Sequence, residues 1–245
     1  MLNYHNKQIF MKILYSLSIL ILTAQLAPSN AFSDGRSIRQ WEGDFSEKIY
    51  EASKIQKKAL QYYEKKYGLF SVETLKPMEA LAWMSMEQGD FQEAENLYRR
   101  VINIRNTNVP PSVENSESLG TAYFLLGDSY LYRKQYILAE TNYDQSFSLA
   151  EDPGHRGDVL SRKGIIYQEL KKYEDAINFY LEAVDEYAIA KESNPRKMKQ
   201  INKRILNAYS ALSKIYKKRV NNEKYAEYQN LVDAMKAGGE IKQDE

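Results

Sequence analysis

The sequence predicts an all-α fold built from repeated helix pairs. Apolar residues recur at three- and four-residue spacings from about residue 44 onwards, and the alternation typical of β-strands is not seen. The helical segments are interrupted by turn-forming residues such as Gly68, Pro110-Pro111 and Asn194-Pro195. A pattern of small and aromatic residues returns three times in the same phase, which indicates a repeat architecture.

Composition narrows the class of protein further. The 245 residues include 34 basic and 33 acidic side chains, whereas a general nucleic-acid binder usually has a strong basic excess. The chain has no cysteine, which excludes disulfides, thiolate metal sites and thiol nucleophiles. The 20 tyrosines are an unusually large number that the fold has to explain.

Residues 1–31 have the three parts of a secretory signal peptide: a basic head, a short apolar centre and small residues at the end. We expect cleavage after Ala31 and a mature protein that is secreted or periplasmic. The alternative is an uncleaved membrane anchor, although the apolar run is shorter than the roughly 20 residues that a spanning helix needs. Either Met1 or Met11 would make a normal start.

Residues 32–43 are expected to form a linker and residues 44–236 the helical array. Residues 44–67 look like the second helix of a pair without its first. Three complete pairs are predicted at about residues 78–105, 123–150 and 160–187. In each, a small residue lies 12 positions before an alanine, and aromatic residues lie three before and four after that alanine. The small residues are Ala82, Gly127 and Gly164, and the alanines are Ala94, Ala139 and Ala176.

The last pair, at about residues 201–236, is degenerate because Tyr225 stands where the second-helix alanine is expected. Residues 237–245 lack apolar periodicity and are expected to form a disordered tail. Ala52 of the first segment lies 42 residues before Ala94, and Ala94 lies 45 before Ala139. These spacings predict additional loop length, mainly over residues 106–117.

This pattern resembles the tetratricopeptide repeat, in which the first helix carries Leu-Gly between aromatic residues and the second carries alanine between aromatic residues. Leu126-Gly127 and Ala139 represent the two positions here. The longest repeats are similar in length to those of kinesin light chains. The resemblance implies a right-handed solenoid of antiparallel helix pairs, with a concave groove that binds protein or peptide partners.

Close packing between helices explains two features of the pattern. Gly127 and Gly164 lie in the middle of predicted helices, where glycine costs about 1 kcal/mol relative to alanine. We therefore expect each glycine to face a bulky ring at close approach. Tyrosine rings that fill the spaces between helices account for the tyrosine count without a cofactor.

The resemblance implies that one stripe of each first helix lines the groove. Its members lie three before, one after and four after the small residue, which puts them on one helix face. The first half of the stripe is apolar and aromatic, as protein interfaces often are. The groove is either open or covered by the N-terminal helix or the loop over residues 106–117. The predicted partner-binding residues are Trp83, Met86, Phe124, Asp128, Leu131, Tyr132, Ile165, Lys214, Lys217 and Lys218.

Some members of the family bind C-terminal carboxylates through asparagine and lysine side chains in this groove. The asparagine is missing here, and Asp128, Ile165 and Lys214 stand where polar donors are wanted. That specificity is therefore not carried over to this chain.

The far end of the stripe is cationic. Residues 196–219 contain nine lysines or arginines and no acidic residue. Cations near a helix C-terminus stabilise the helix dipole, and a solvated face is one interpretation of this run. The other is contact with an anionic partner, such as an acidic protein segment, an envelope polymer or a membrane surface.

No catalytic, cofactor-binding or metal-binding motif is found. Gly127-Asp128-Ser129 superficially resembles an esterase block, but that block belongs at a strand end and this segment is helical. His155, the only histidine after residue 31, is expected to be a solvated loop residue. The predicted function is an exported scaffold for protein–protein interaction without catalytic activity. The alternatives are a membrane-tethered envelope assembly factor that keeps its leader, and an envelope hydrolase.

Overall fold

The computed structural model describes residues 38–237, with the side chains of residues 46–237. Over that range it contains nine α-helices and no strand. The predicted signal peptide, residues 1–31, lies outside the described residues, as does the predicted tail from residue 238 onwards. No helix among the described residues has both the length and the apolar character needed to cross a bilayer.

The helices follow one another with short connections, and 3₁₀ turns at Val72–Thr74 and Pro195–Lys197 precede two of them. Their bounds are α1 Ile38–Tyr67, α2 Leu75–Glu87, α3 Phe91–Asn108, α4 Val113–Tyr132, α5 Tyr136–Leu149, α6 Pro153–Glu169, α7 Tyr173–Ser193, α8 Met198–Lys218 and α9 Asn222–Lys236.

The chain divides into two units within α1. The first ends at Ala52, and its described part is helical from Ile38 onwards. The second begins at Ser53 and holds the rest of α1 together with α2–α9. The prediction of a linker over residues 32–43 is therefore wrong for residues 38–43, which belong to α1. Helix α1 extends further toward the N-terminus than the apolar periodicity of the sequence indicates.

Within the second unit, successive helices pack as the pairs α2–α3, α4–α5, α6–α7 and α8–α9. The pairs are antiparallel: in α6–α7, Gly157 meets Tyr187 while Gly164 meets Tyr180, so numbers rise along one helix as they fall along the other. Neighbouring pairs are joined by packing of α3 on α4, α5 on α6 and α7 on α8. Among the first helices, α4 also packs on α6, and α6 on α8.

Each pair turns through one residue in the left-handed conformation. The φ angles are 76° at Gly89, 59° at Lys134, 60° at Lys171 and 59° at Val220. Each of these residues lies seven positions after the small residue of its first helix. The pair α8–α9 therefore shares the turn geometry of the others although its sequence is degenerate.

Residues 106–117 do not form the long loop that the repeat spacing predicts. Helix α3 extends to Asn108 and α4 begins at Val113, so residues 109–112 alone connect them. Ser112 caps α4 by accepting a hydrogen bond from the backbone N–H of Asn115 at 3.0 Å. The additional length lies in longer helices, and this segment cannot fold over the groove as a loop.

The buried apolar side chains form two clusters that meet at α6. The first runs from Leu60 to Ile166, and the second from Leu160 to Val232. Helix α6 is thus apolar on two faces, one toward each neighbouring pair. This is the packing expected of a stack in which each repeat buries its surface on the next.

Candidate functional site on the first helices

Tyrosine rings lie directly against glycines inside two of the helix pairs. A Cβ atom on Gly127 would lie 2.6 Å from the Tyr143 ring, and one on Gly164 would lie 2.9 Å from the Tyr180 ring. Real Cβ atoms do not approach other atoms this closely. The structure therefore confirms that packing requires glycine at both positions.

A second layer of the same kind joins Gly157 to Tyr187, where a Cβ atom would come within 2.5 Å of the ring. The alignment on alanines does not find this contact. Its signal is nevertheless present, because Gly157 lies seven residues before Gly164, and Tyr187 lies seven after Tyr180. Two helical turns separate the layers, so both fall on the same interface.

The last pair replaces the ring contact by a hydrogen bond. Ser213 and Gln229 occupy the positions that Gly164 and Tyr180 have in α6–α7. The Ser213 hydroxyl donates to Gln229 Oε1 at 3.2 Å. Because of this substitution, α8–α9 lacks the aromatic pattern of the other pairs although its helices pack in the same way.

A buried network closes the junction between α4 and α6. The Tyr143 hydroxyl donates to Asp128 Oδ1 at 2.6 Å, and Arg162 Nε donates to the same oxygen at 2.8 Å. Asp128 is 6% exposed. Burial, followed by the charge of Asp128, raises the pKa of Tyr143, which therefore stays protonated and donates. Asp128 holds three helices together, and its predicted contact with a partner stays a prediction.

The same three groups recur at the next junction, between α6 and α8. The Tyr187 hydroxyl donates to Asp158 Oδ1 at 2.9 Å, and Arg204 pairs with Asp158 Oδ2 at 2.9 Å. The guanidinium of Arg204 lies 5.9 Å from the centroid of the Tyr187 ring. Each of these junctions is thus closed by an arginine from the following repeat that lies near both a carboxylate and an aromatic ring.

The junction between α2 and α4 is built differently. Trp83 has the position that Asp128 has in the next repeat, and Leu125 has the position that Arg162 has in α6. The carboxylate and the arginine are therefore both missing, and a cavity of about 220 Å³ lies between the helices. Its lining residues are Glu79, Trp83, Tyr98, Arg105, Ser118, Thr121, Ala122 and Leu125.

The predicted apolar residues of the groove differ in accessibility. Tyr132 is 60% exposed, and its ring stacks on Phe91 with 4.9 Å between centroids. Trp83 is half-buried at the mouth of the cavity. The other half-buried members pack against the two core clusters, and they are Met86, Leu131 and Ile165.

Phe124 is half-buried against side chains of the neighbouring helices. Its ring centroid lies 5.7 Å from that of Tyr143 and 5.4 Å from that of His155. The guanidinium of Arg162 lies 5.6 Å from the same centroid. Phe124 therefore contributes to the packing of α4 on α6, and its predicted role as a partner anchor stays a prediction.

His155 is not the solvated loop residue that the Pro-Gly context predicts. It lies in the first turn of α6, which Asp152 caps and Pro153 opens. Its Nε2 atom lies 2.8 Å from the Ser146 hydroxyl, and its ring packs on Phe124. Burial lowers the pKa of His155, so the ring is neutral at pH 7. The Pro-Gly context does not indicate that a helix begins at Pro153, and this helix places the His155 side chain against Phe124.

The cationic end of the predicted surface lies on α8. Lys214, Lys217 and Lys218 are exposed, and none of them forms an ion pair within the described residues. By contrast, Arg204 and Arg219 of the same basic run pair with acidic side chains on α6 and α7. Helix α6 separates these lysines from the aromatic residues of α2 and α4, so the predicted site has two ends.

A sequence profile of the tetratricopeptide repeat matches residues 46–107 and 118–187. The chain belongs to the tetratricopeptide repeat (TPR) family. The match includes the part of α1 that looks like an unpaired second helix. Members of this family bind protein partners and serve as scaffolds, which is the general function of this TPR protein.

Among the described residues, no group of three or more histidine or acidic side chains is arranged to hold a metal ion.

Solved structures share the fold at low sequence identity. A kinesin light chain from Podosopora anserina with nearly identical TPR-like repeats is 17% identical, with a TM-score of 0.61, and the similarity covers 81% of this chain and 92% of that one. MamA is 15% identical with a TM-score of 0.54, over 83% of this chain and 98% of MamA. No curated protein matches the sequence. These similarities concern the fold alone.

Proposed function

We propose that this TPR protein is an exported, non-catalytic scaffold that binds a protein partner along the face formed by its first helices. The observation that carries the proposal is the contrast between the two ends of that face. Trp83 and Tyr132 supply aromatic surface at one end. Lys214, Lys217 and Lys218 of α8, which form no ion pair within the described residues, supply positive charge at the other. Aromatic residues contribute strongly to interfaces, and charge complementarity speeds association and selects partners.

The chemistry of the partner follows from these two ends. An apolar segment of the partner contacts α2 and α4, and an acidic segment contacts α8. Lys214, Lys217 and Lys218 lie on adjacent turns of one helix and repel one another, which opposes folding slightly. A partner that neutralises them relieves this repulsion on binding.

The aromatic end is tested on a partner captured with the mature chain. The double variant Trp83→Ala and Tyr132→Ala should weaken binding about 30-fold or more, since an anchor contributes about 2 kcal/mol or more. The matched control is Ile137→Ala with Leu138→Ala, two exposed apolar residues on α5. Unchanged capture by a groove variant that keeps its helical circular dichroism would contradict the proposal. Phe124 is left intact because its ring also packs on Tyr143 and His155.

The cationic end is tested by charge reversal at several salt concentrations. Lys214→Glu with Lys217→Glu should weaken capture at low salt, and the wild-type affinity should fall as salt rises, because exposed charges are screened over about 8 Å at physiological ionic strength. Lys197→Glu with Lys199→Glu makes the same change of charge elsewhere in the basic run and serves as the control. A wild-type affinity that does not depend on salt would argue against an anionic segment.

Export is supported by the signal-like sequence of residues 1–31. The mass of the protein recovered from the cell exterior or the periplasm tests it. A mature N-terminus at Phe32 is the expected result. An intact leader together with co-fractionation with membranes would favour the membrane-tethered assembly factor instead.

A further inference from the structure

The segment that connects α1 to α2 holds large apolar side chains in solvent. Leu69 and Phe70 are 56% and 54% exposed, and Val72 is 42% exposed. Their backbone is fixed on α3. Arg100 Nη2 donates to the Leu69 carbonyl at 3.3 Å, and Asn108 Nδ2 donates to the Phe70 carbonyl at 2.6 Å. An ordered segment that keeps adjacent apolar side chains in water marks an interaction site.

The last turns of α1 add exposed aromatic surface beside this segment. Tyr62 and Tyr67 are each 46% exposed. The Lys66 ammonium lies 5.6 Å from the centroid of the Tyr62 ring and 4.8 Å from that of Tyr67, so one lysine lies near both rings. Together these exposed apolar and aromatic side chains form the α1–α2 patch: Tyr62, Tyr67, Leu69, Phe70 and Val72.

Positive charge lies beside the α1–α2 patch. Four lysines in this part of α1 are exposed and form no ion pair within the described residues: Lys57, Lys58, Lys65 and Lys66. Between residues 55 and 72 the one acidic residue is Glu64, whose carboxylate pairs with Arg100 at 2.6 Å. Just beyond the patch, the charge of Glu73 is offset by that of Lys76. The surroundings of the patch are therefore cationic.

The order of these groups along the chain matches the layers of a membrane surface. Leu69 and Phe70 come after the end of the helix, and Tyr62 and Tyr67 lie in its last turns. Lys58 lies about 6 Å before Tyr62, at 1.5 Å of rise per residue. A bilayer presents hydrocarbon first, then the headgroup level where tyrosine is enriched, and then a charged surface that attracts lysine. The two lysines between the tyrosines have flexible stems that can extend toward water.

Other occupants fit these observations less well. A second copy of the chain would bring the same lysines together, and like charges repel. An acidic protein segment pairs with the lysines, but it also has to carry apolar side chains in the matching position to cover Leu69 and Phe70. A bilayer with anionic headgroups presents both layers everywhere on its surface.

We infer that the α1–α2 patch binds reversibly to the surface of a bilayer that contains anionic phospholipid. Leu69 and Phe70 enter the boundary between headgroups and hydrocarbon, and the two tyrosines lie among the headgroups. The lysines contact the phosphates. This contact uses none of the residues of the proposed partner-binding face, which lie on α2, α4, α6 and α8.

The test uses the full chain, whose lack of cysteine allows one fluorophore to be placed at a chosen position. Leu69→Cys, labelled with an environment-sensitive nitrobenzoxadiazole group, is mixed with vesicles of equal parts phosphatidylcholine and phosphatidylglycerol. Its emission should rise saturably, shift to the blue and be quenched by spin-labelled lipid. Vesicles of phosphatidylcholine alone should need about tenfold more lipid or above for the same change. The same label in Ile137→Cys, at an 82% exposed position on α5, should not respond.

The contribution of charge is measured through the label at position 69. Lys58→Glu with Lys65→Glu should raise the lipid concentration at half-saturation about tenfold or more, since one lysine near an anionic surface contributes about fivefold. The matched control is Lys197→Glu with Lys199→Glu, which makes the same change of charge at exposed positions elsewhere and should have little effect.

The contribution of the apolar tip is measured in the same way. Phe70→Ser should raise the lipid concentration at half-saturation about tenfold or more, because a buried phenylalanine side chain gains free energy on leaving water. Ile137→Ser, at an equally exposed type of position, should behave as the wild type does.

Three results would overturn the inference: a label at position 69 that does not respond to anionic vesicles, an equal response at position 137, or equal losses in the two charge-reversal variants. A silent label together with loss of partner capture by Phe70→Ser would instead make this patch a protein-docking surface.

Discussion

The junctions on the two sides of α4 differ in the side chains that fill them. Toward α6, Asp128 receives hydrogen bonds from Tyr143 and Arg162 and is 6% exposed. Toward α2, Trp83 stands in place of the carboxylate and Leu125 in place of the arginine, and a cavity of about 220 Å³ is left.

This difference shows that the repeat pattern specifies how closely two helices pack, but not which side chains fill the junction with the next repeat. The small residue and the facing tyrosine recur in both places. The residue that follows the small one differs, because Asp128 accepts from the facing tyrosine whereas Trp83 offers no acceptor. The junction with Asp128 is therefore locked, whereas beside Trp83 the Tyr98 hydroxyl has no hydrogen-bond partner within the described residues.

The largest effect is expected from breaking the lock with Asp128→Ala. The change leaves the Tyr143 hydroxyl and the Arg162 guanidinium without their acceptor, and it should lower the free energy of unfolding by about 3 kcal/mol. The value is at the low end for buried ion pairs because the Arg162 side chain is 35% exposed. Asp144→Ala, which breaks a surface pair with Lys163, should cost about 0–1 kcal/mol. Equal urea midpoints for the two variants would contradict the prediction that the hydrogen bonds of Asp128 stabilise the junction between α4 and α6.

Two glycines of α4 compare a steric clash with an ordinary van der Waals contact in one helix. A Cβ atom on Gly127 would lie 2.6 Å from Tyr143, whose hydroxyl is tied to Asp128, whereas on Gly120 the nearest atom would be 3.5 Å away. Gly127→Ala should therefore cost about 1–3 kcal/mol. Gly120→Ala should be neutral or stabilise by up to about 1 kcal/mol through helix propensity. Thermal melts that rank them the other way would refute the assigned helix phase.

Removing one hydroxyl from each junction sharpens the comparison. Tyr143→Phe should cost about 1–2 kcal/mol, because it leaves a buried carboxylate with one donor fewer. Tyr98→Phe should cost nothing or stabilise the fold, because it removes a buried hydroxyl without a partner in the described residues. A loss of more than about 1 kcal/mol in chemical unfolding of Tyr98→Phe would show that this hydroxyl is already bonded.

The smallest effect is a pH dependence confined to the α4–α6 side. Burial lowers the pKa of His155 below its usual 6.5, so the unfolded chain takes up a proton first as pH falls. The stability that the neutral ring provides is complete above pH 6.5 and is lost as pH falls below it. The free energy of unfolding should therefore decline from pH 7.5 to 5.5 in the wild type, and less so in His155→Gln. Tyr98→Phe should keep the wild-type slope, and a change of slope there would contradict the assignment.

Much of the fold could be predicted because its signals repeat at fixed spacing along the chain. The small residues and the aromatic rings identify the helix pairs. Glycine in the middle of a helix predicts that a tyrosine ring packs closely against Gly127 and against Gly164. Turn-forming residues mark where helices end, as at Pro110-Pro111. The aromatic end of the candidate site also follows from spacing, since Trp83 stands on the stripe that helical periodicity defines and Tyr132 lies one residue beyond it.

The tertiary structure alone decided what fills each junction. Arg162 meets Asp128 across 34 residues of sequence, and no local pattern links them. The contact between the rings of His155 and Phe124 depends on that same meeting of α4 and α6. Likewise, the buried Tyr98 hydroxyl is left without a hydrogen-bond partner because no acceptor lies beside it in space within the described residues. Hydrogen bonding and packing between repeats act over a few ångströms in space, whereas the periodicity of a sequence records only which face a residue occupies.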